Sequence, residues 1–503
     1  MSDFTELVDL AAERLGGAVL AANDEFFAPK ENLLKSAAPV WMEGKYTDVG
    51  KWMDGWETRR RREPGHDWCL IRLGLPGAPR GVVVDTSFFR GNFPDQCSLE
   101  ACAVEGYPTT SELFDEEVKW TVILPRVSLQ GDFRNLFAIE KGIGDMGDMG
   151  RVTHLLFRIY PDGGVARLRV HGDVLPDWER LDRRRSEMDL AGVENGGRVL
   201  ACSDMFFGNR HNLILPGPPR GMHDGWETRR RRGEGFDWAI VRLGARGLVE
   251  RLEIDTSFFK GNAPGSGWVE GIDAPGAYAD ALSSPSFPGW REILPKTPLR
   301  PHTVHHFDDL LAAGPFTHVR LGIHPDGGVA RLRVFGRLGA LDLLNVLPVP
   351  DVEARLLACC GSRTWAGKVA RARPFHEPQS LFTAAERAFG ELGRNDWLEA
   401  FAAHPRIGER PAGDGVESRW STQEQAGADE ASAEILAELA EANRLYEQRF
   451  GHVFLVCATG KSAFEMLNLL GGRLGNDAST ELEVAAGEQR EITRLRLEKL
   501  LWP

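Results

Sequence analysis

The sequence predicts a multidomain protein: two tandem all-β, jelly-roll-like sandwiches followed by an all-α domain. Three observations carry this expectation. A set of motifs in the first two-thirds of the chain occurs twice. Each copy is made of short β-branched or alternating runs bounded by Gly and Pro. Helical spacing replaces alternation after about residue 348. A chain of 503 residues can hold roughly two to four domains, each with its own core. With 42% apolar and 26% charged residues, 56 Gly and 29 Pro, the composition is globular and turn-rich, which excludes disorder and collagen.

The repeat can be followed residue by residue. Met53-Asp54-Gly55-Trp56-Glu57-Thr58, with Arg59 to Arg62 behind it, returns 170 positions later as His223-Asp224-Gly225-Trp226-Glu227-Thr228 with Arg229 to Arg232. Val84-Asp85-Thr86-Ser87-Phe88-Phe89-Arg90-Gly91-Asn92 returns at the same offset as Ile254-Asp255-Thr256-Ser257-Phe258-Phe259-Lys260-Gly261-Asn262. Upstream, Asp24-Glu25-Phe26-Phe27 matches Asp204-Met205-Phe206-Phe207 at offset 180; downstream, Pro161 to Val170 matches Pro325 to Val334 at offset 164. The changing offset places insertions or deletions between the motifs, in surface loops. Two copies of one domain are expected, over residues 1–175 and 176–342. Within a copy, Trp68 to Leu73, Gly81 to Asp85 and Ala166 to Val170 read as short strands, with Asp162-Gly163-Gly164 as a tight turn.

Leu347 to Asp351, reading Leu-Pro-Val-Pro-Asp, is expected to be a linker, and residues 349–503 a third, helical domain. Leu381 to Leu392, Asp396 to Ala403 and Glu430 to Arg449 have helical spacing. On the last, Ile435, Leu439, Ala442 and Tyr446 recur three or four apart, and Gly451 is placed to stop the helix. The β part and the helical part are expected to be separable units.

Other classes are excluded. No apolar run reaches the roughly 18 residues that cross a bilayer. The acidic start, with Asp3, Glu6, Asp9 and Glu13, lacks the order of a signal peptide. Seven scattered cysteines fit neither a disulfide framework nor a zinc-finger spacing. A formal charge of −13 opposes general binding to nucleic acid or anionic membrane. The expected location is the cytoplasm, and the expected partners are small molecules, with no nucleic acid and no membrane.

The chemistry concentrates in a few places. Asp54 and Glu57, repeated as Asp224 and Glu227, are acid/base candidates beside arginine runs. From these runs Arg60 and Arg230 are taken as clamps for a planar carboxylate or ureido group. Asp85 and Asp255, each followed by Thr-Ser, either meet a substrate or metal or cap their own turns. His154 and His318 read equally as core histidines or ligands. Trp56, Trp226, Trp120 and Trp290 read as packing residues. In the helical part, His404 stands before Pro405 at a helix end. Ser421-Thr422-Gln423-Glu424-Gln425 combines a hydroxyl, a carboxylate and amides, and also reads as a capping box. The run Phe454 to Lys461, including Val456, Cys457, Ala458, Thr459 and Gly460, either presents backbone amides to a ligand or is core, with Cys457 read as buried and unreactive. Arg473 is a candidate for anionic groups.

The Asp-Gly-Trp-Glu-Thr-Arg-Arg-Arg and Asp-Thr-Ser-Phe-Phe motifs, twice over, resemble the allantoicases across about residues 8–340. That resemblance implies conversion of allantoate to ureidoglycolate and urea, and a homo-oligomer. It assigns no catalytic residues, so Asp54, Glu57, Asp224 and Glu227 rest on their chemistry, and a divalent metal is left open. His-Pro-Arg-Ile-Gly from His404, with Cys360-Gly361-Ser362 and Trp365, makes the remainder resemble 2-oxo-4-hydroxy-4-carboxy-5-ureidoimidazoline (OHCU) decarboxylase, which forms (S)-allantoin. By that resemblance His404 is the proton donor and Glu424 its carboxylate partner. Pro405, Ser421, Thr422, Gln423, Gln425 and Val456 to Gly460 line the substrate, and no cofactor is implied. The expected function is a bifunctional enzyme, hydrolase and lyase, of purine catabolism. The competing expectation is a lectin-like tandem β-sandwich with a helical interaction module.

Overall fold

The computed structural model describes residues 4–139, 151–183, 187–406, 433–458 and 461–501. The chain forms two compact units: Met1–Asp177 with Glu187–Arg337, and Trp178–Ser186 with Leu338–Pro503. Both β-repeats lie in the first.

Each repeat is organised by one 19-residue strand, Asp67–Asp85 or Asp237–Asp255, in a sheet of eight strands. In repeat 1 the first half of that strand pairs with Val152–Tyr160 and Ala18–Ala22, and the second half with Arg167–Val174 and Arg134–Ala138. Repeat 2 follows the same plan with Phe316–His324 and Arg198–Cys202, then Arg331–Arg337 and Val304–Phe307.

The two strands expected at Trp68 to Leu73 and Gly81 to Asp85 are therefore the two ends of one. The Gly/Pro-rich stretch between them bends the strand instead of ending it. The register slips where Gly77 pairs and again between His171 and Gly172, which is how a strand changes partners without a loop. A Cβ on Gly77 would lie 2.2 Å from the Asp173 carbonyl oxygen, so the crossing backbone requires glycine. Trp56 and Trp226 are fully buried, and their indole N–H groups donate to the carbonyls of Asp24 (2.8 Å) and Asp204 (2.7 Å). They pack the core.

His154 and His318 are buried beside strand threonines, with Nδ1 at 2.8 Å from Thr153 Oγ1 and 3.0 Å from Thr317 Oγ1. Burial, reinforced by Arg72 and Arg242, pushes each imidazole down to about 4. Below pH 6.5 the unfolded rings take up protons that the folded rings refuse until about pH 4. Stability is thus lost as pH falls through that window, by the order of 3 kcal/mol per ring. Urea midpoints of the full chain should drop between pH 7 and pH 4, and the double variant H154Q/H318Q should flatten the drop. An equally steep profile in that variant would assign the acid sensitivity to other groups.

The second unit is helical: Trp178–Arg183, Ala340–Val346, Val349–Cys359, Arg363–Arg371, Pro378–Phe389, Arg394–Ala402, Ala433–Phe450, Ala463–Arg473 and Ala478–Leu501. The expected linker is not one. Leu347 closes the helix Ala340–Val346 and Pro348 caps the next. The prolines fall in a first turn, where no backbone N–H is needed for intrahelical bonding. The helix Ala433–Phe450 ends as expected at Gly451, which has φ +77° and donates its N–H to the Glu447 carbonyl at 2.8 Å. No helix among the described residues is long and apolar enough to cross a membrane. None of the seven cysteines is in a disulfide.

Candidate active sites

Between Phe27 and Met53 the offset between repeats falls from 180 to 170, so repeat 1 carries ten extra residues there. The added chain includes the hairpin Tyr46–Thr47 with Gly50–Lys51. Through Lys51 it borders an open cavity of about 490 Å³ lined by Phe27, Trp41, Lys51, Met53, Glu57, Phe88, Arg90, Gly91 and Asn92. Lys51 Nζ lies 4.2 Å over the Trp41 ring, whose centre is 6.0 Å from that of Phe88. Asn92 Nδ2 donates to Glu57 Oε1 at 2.6 Å. Burial pushes the Glu57 carboxyl above its ordinary range, and the Asn92 hydrogen bond offsets part of that rise. Phe88 is held at φ +72°, a left-handed conformation that costs a bulky residue energy. Asp132 holds it there. One oxygen accepts the Phe88 N–H at 2.7 Å and the other accepts Arg90 Nε at 3.0 Å. The strained turn and the guanidinium are thus aimed by one carboxylate.

Repeat 2 keeps part of this arrangement. Asn262 Nδ2 donates to Glu227 Oε1 at 2.5 Å, and Phe258 has φ +71°. It lacks the covering insertion, and the chain instead turns through the short 3-10 helix Met222–Asp224. Lys260 and His302 stand where Arg90 and Asp132 stand, with His302 Nδ1 accepting the Phe258 N–H at 2.8 Å.

Of the residues singled out in repeat 1, Glu57 reaches the cavity and the others do not. Asp54 is buried and accepts from Arg167 Nη2 at 2.7 Å and from the Val40 N–H at 3.0 Å. Burial alone would raise its carboxyl, but Arg167 and the Val40 amide hold it below the ordinary range. It anchors the chain entering the insertion instead of exchanging protons. Asp224 is likewise held low, against burial, by Arg14, Arg331 and the Arg220 N–H. Asp85 and Asp255 cap their turns, accepting from Ser87 N–H at 2.9 Å and Ser257 N–H at 2.7 Å. Arg60 and Arg230 are exposed, and Arg60 is absent from the cavity lining. Their neighbours brace the motif: Arg59 binds Asp24 at 2.6 Å, Arg61 binds Asp67 at 2.7 Å, and Arg229 binds Asp204 at 2.9 Å.

The residues that sequence reasoning missed are Trp41, Lys51, Arg90 and Asn92. Arg90 and Asn92 stood in the repeated motif, and the insertion showed as a shift in offset. Among the described residues no group of three His, Cys, Asp or Glu stands together as a metal site. The cavity pairs one carboxylate with two cationic side chains, a donor set that does not fit a divalent metal.

In the helical unit, His404 follows the helix Arg394–Ala402, with its N–H on the Phe401 carbonyl at 3.0 Å and its Nε2 sealed from solvent. Pro405 is half-buried beside it. Arg406 grips Glu447 through Nε (2.6 Å) and Nη2 (2.8 Å), and the Phe401 ring packs 5.1 Å from His452. These contacts bring the His404 elbow to the start of the Phe454 to Ala458 run. Within that run Val456 and Ala458 are buried, while Cys457 is half-buried, contrary to expectation. The Cys457 N–H donates to Glu488 Oε2 at 2.7 Å.

Arg473 is also committed elsewhere. It is buried and donates to Glu481 Oε1 (2.8 Å from Nε, 2.5 Å from Nη2) and to the Leu455 carbonyl at 2.7 Å. Tyr446 and Asn476 complete the Glu481 cluster. Arg473 positions the run instead of facing a substrate. Ser421, Thr422, Gln423, Glu424, Gln425, Thr459 and Gly460 lie outside the described residues.

A tandem β-repeat with a charged, aromatic-walled cavity, joined to a helical unit with a histidine elbow, defines a two-part enzyme. Residues 8–175 and 188–339 each match the allantoicase repeat, and residues 345–498 match OHCU decarboxylase. A probable allantoicase of Pseudomonas aeruginosa is 48% identical over 335 residues, 66% of this chain and 96% of that protein. The crystal structure of allantoicase from Saccharomyces cerevisiae is 36% identical, with a TM-score of 0.54, over 66% of this chain and 93% of that one. A crystal structure of OHCU decarboxylase in the presence of (S)-allantoin is 39% identical over 29% of this chain and 96% of that one, with a TM-score of 0.26. The chain belongs to the allantoicase family and carries an OHCU decarboxylase domain behind its repeats. It is a bifunctional enzyme of purine catabolism, and the lectin-like alternative is set aside.

Proposed function

We propose that repeat 1 hydrolyses allantoate to ureidoglycolate and urea, and that the helical unit decarboxylates OHCU to (S)-allantoin. The observation that supports the first assignment is the cavity that joins Glu57 to Lys51 and Arg90. Allantoate carries one carboxylate and two ureido arms on a single carbon. Lys51 and Arg90 supply the positive charge for the carboxylate. Glu57, its proton affinity raised by burial, gives a proton to the departing urea nitrogen as the C–N bond breaks; water adds at the same carbon, and the proton it releases returns to Glu57. Glu227 and Asn262 maintain the fold of repeat 2. In the helical unit, loss of CO₂ leaves an electron pair that the conjugated ring of OHCU accepts. His404 returns the proton with Glu424 as its carboxylate partner, while Pro405 and the Val456 to Gly460 run border the substrate.

The β-repeats and the helical unit act as separable catalysts in a cytoplasmic homo-oligomer, on small molecules alone. The test is to assay the full chain with allantoate and with freshly generated OHCU, each with and without chelator. Urea release and formation of one allantoin enantiomer are expected, both indifferent to chelation. Absence of urea release by folded protein would remove the first assignment, and chelator-sensitive urea release would require a metal that these side chains do not provide for.

A further inference from the structure

We propose that the groove between the two β-repeats is a second binding site, for a small carboxylate of the ureido-acid class. The groove encloses about 250 Å³ and takes its walls from both repeats, including Arg14 and Asp173 of the first and Arg198, His211 and Arg242 of the second. Arg198 and Arg242 are direct cross-strand partners. Like charges placed opposite each other on neighbouring strands repel, so such a pair destabilises a sheet unless something neutralises it.

The pair is peculiar to repeat 2. The matching partners in repeat 1 are Ala18 and Arg72, where no clash arises. The carboxylates around the groove relieve it only in part: Asp173 and Glu6 attract Arg198 from a distance, but each is held by another arginine. Asp173 is bound by Arg80, Glu6 by Arg210 and Asp9 by Arg169, while Arg14 is taken by Asp224. Arg242 has no ion pair among the described residues. Arg198 Nε and His211 Nε2 are buried without a hydrogen-bond partner, His211 Nε2 standing 3.6 Å from Glu6.

Two guanidiniums on adjacent strands present the parallel donors that a carboxylate accepts, with a further N–H donor where the His211 ring is so protonated. The apolar remainder of the wall, Leu15 and Ile214, leaves room for a short arm. A bound carboxylate removes the repulsion and ties the repeats together, because both contribute to the wall. The ureido class rests on the reaction proposed for repeat 1, whose substrate and product are both such acids.

Hydantoate, a ureido carboxylate that lacks the second arm, serves as the probe, with calorimetric titration of the full chain. Two hydantoates per chain are expected. Arg198→Ala, which installs the residue of repeat 1, should remove one of them while leaving allantoate turnover unchanged, and should raise the melting temperature of the ligand-free chain. Lys51→Met should remove the other and retain the Arg198-dependent one, so failure of the catalytic reading is seen separately. Two hydantoates still bound by Arg198→Ala, or a single wild-type site lost in Lys51→Met, would overturn the proposal. Binding of inorganic phosphate at the Arg198-dependent site, with hydantoate refused, would overturn the ligand class.

Discussion

Glu57→Gln is expected to slow urea release from allantoate by roughly 10²–10⁴, the usual worth of a positioned general acid, while Glu227→Gln leaves the rate close to wild type. The two glutamates share a motif and an asparagine partner, so the difference tests position and not residue type. Repeat 1 lines the cavity beside its glutamate with Trp41 and Lys51 from the insertion. Burial raises the Glu57 carboxyl above its ordinary range, so its acid form persists to higher pH than that of an exposed glutamate. The acid form is lost as pH rises through that raised value. The kcat profile for allantoate should therefore fall on its alkaline side, and that limb should vanish in Glu57→Gln. The same shift makes Glu57 a small stability term, fully present below the ordinary carboxylate value and lost as pH rises through the folded one. Equal losses in the two glutamine variants would mean that both repeats work, and the assignment to repeat 1 would fall.

The second large effect concerns His404. His404→Asn should cut decarboxylation of OHCU by roughly 10²–10⁴ while substrate affinity changes less. The Arg406–Glu447 fork and the packing of Phe401 on His452 also hold the elbow, so the fold should survive the change. Because OHCU also decays spontaneously to racemic allantoin, the readout is optical: circular dichroism of the allantoin formed, followed in time. Loss of the single-enantiomer signal is the expected result. Optically pure allantoin formed at the wild-type rate by His404→Asn would show that another group delivers the proton.

The division into two β-repeats and a helical part was legible because duplication and periodicity are local properties of the chain. Asp54-Gly55-Trp56-Glu57 recurs whatever the fold, and Ile435, Leu439, Ala442 and Tyr446 mark a helical face without reference to any neighbour. The stop at Gly451 was legible for the same reason, since a left-handed cap is a property of one residue. The misread segments are those where a local signal has two uses. Gly and Pro between Leu73 and Gly81 signalled a turn and became a bend within one strand, because partners on both sides continued the ladder. Pro348 and Pro350 signalled a linker and became a helix start.

What the sequence by itself determined is thus the repeat, the residue types able to do acid/base chemistry, and the family. Which of those residues work together was decided only by the tertiary structure. Asp54 and Glu57 are three positions apart and chemically alike. Yet the long-range partner Arg167 fixes one as a buried anion, while burial without a cationic partner raises the other. The physical reason is that a carboxyl's proton affinity depends on its solvent exposure and on charges brought near by folding. Arg167 lies 113 residues from Asp54 along the chain, and Arg90 lies beyond a 19-residue strand from Glu57. No local pattern encodes those distances, and the sheet that sets them exists only when the whole repeat has folded.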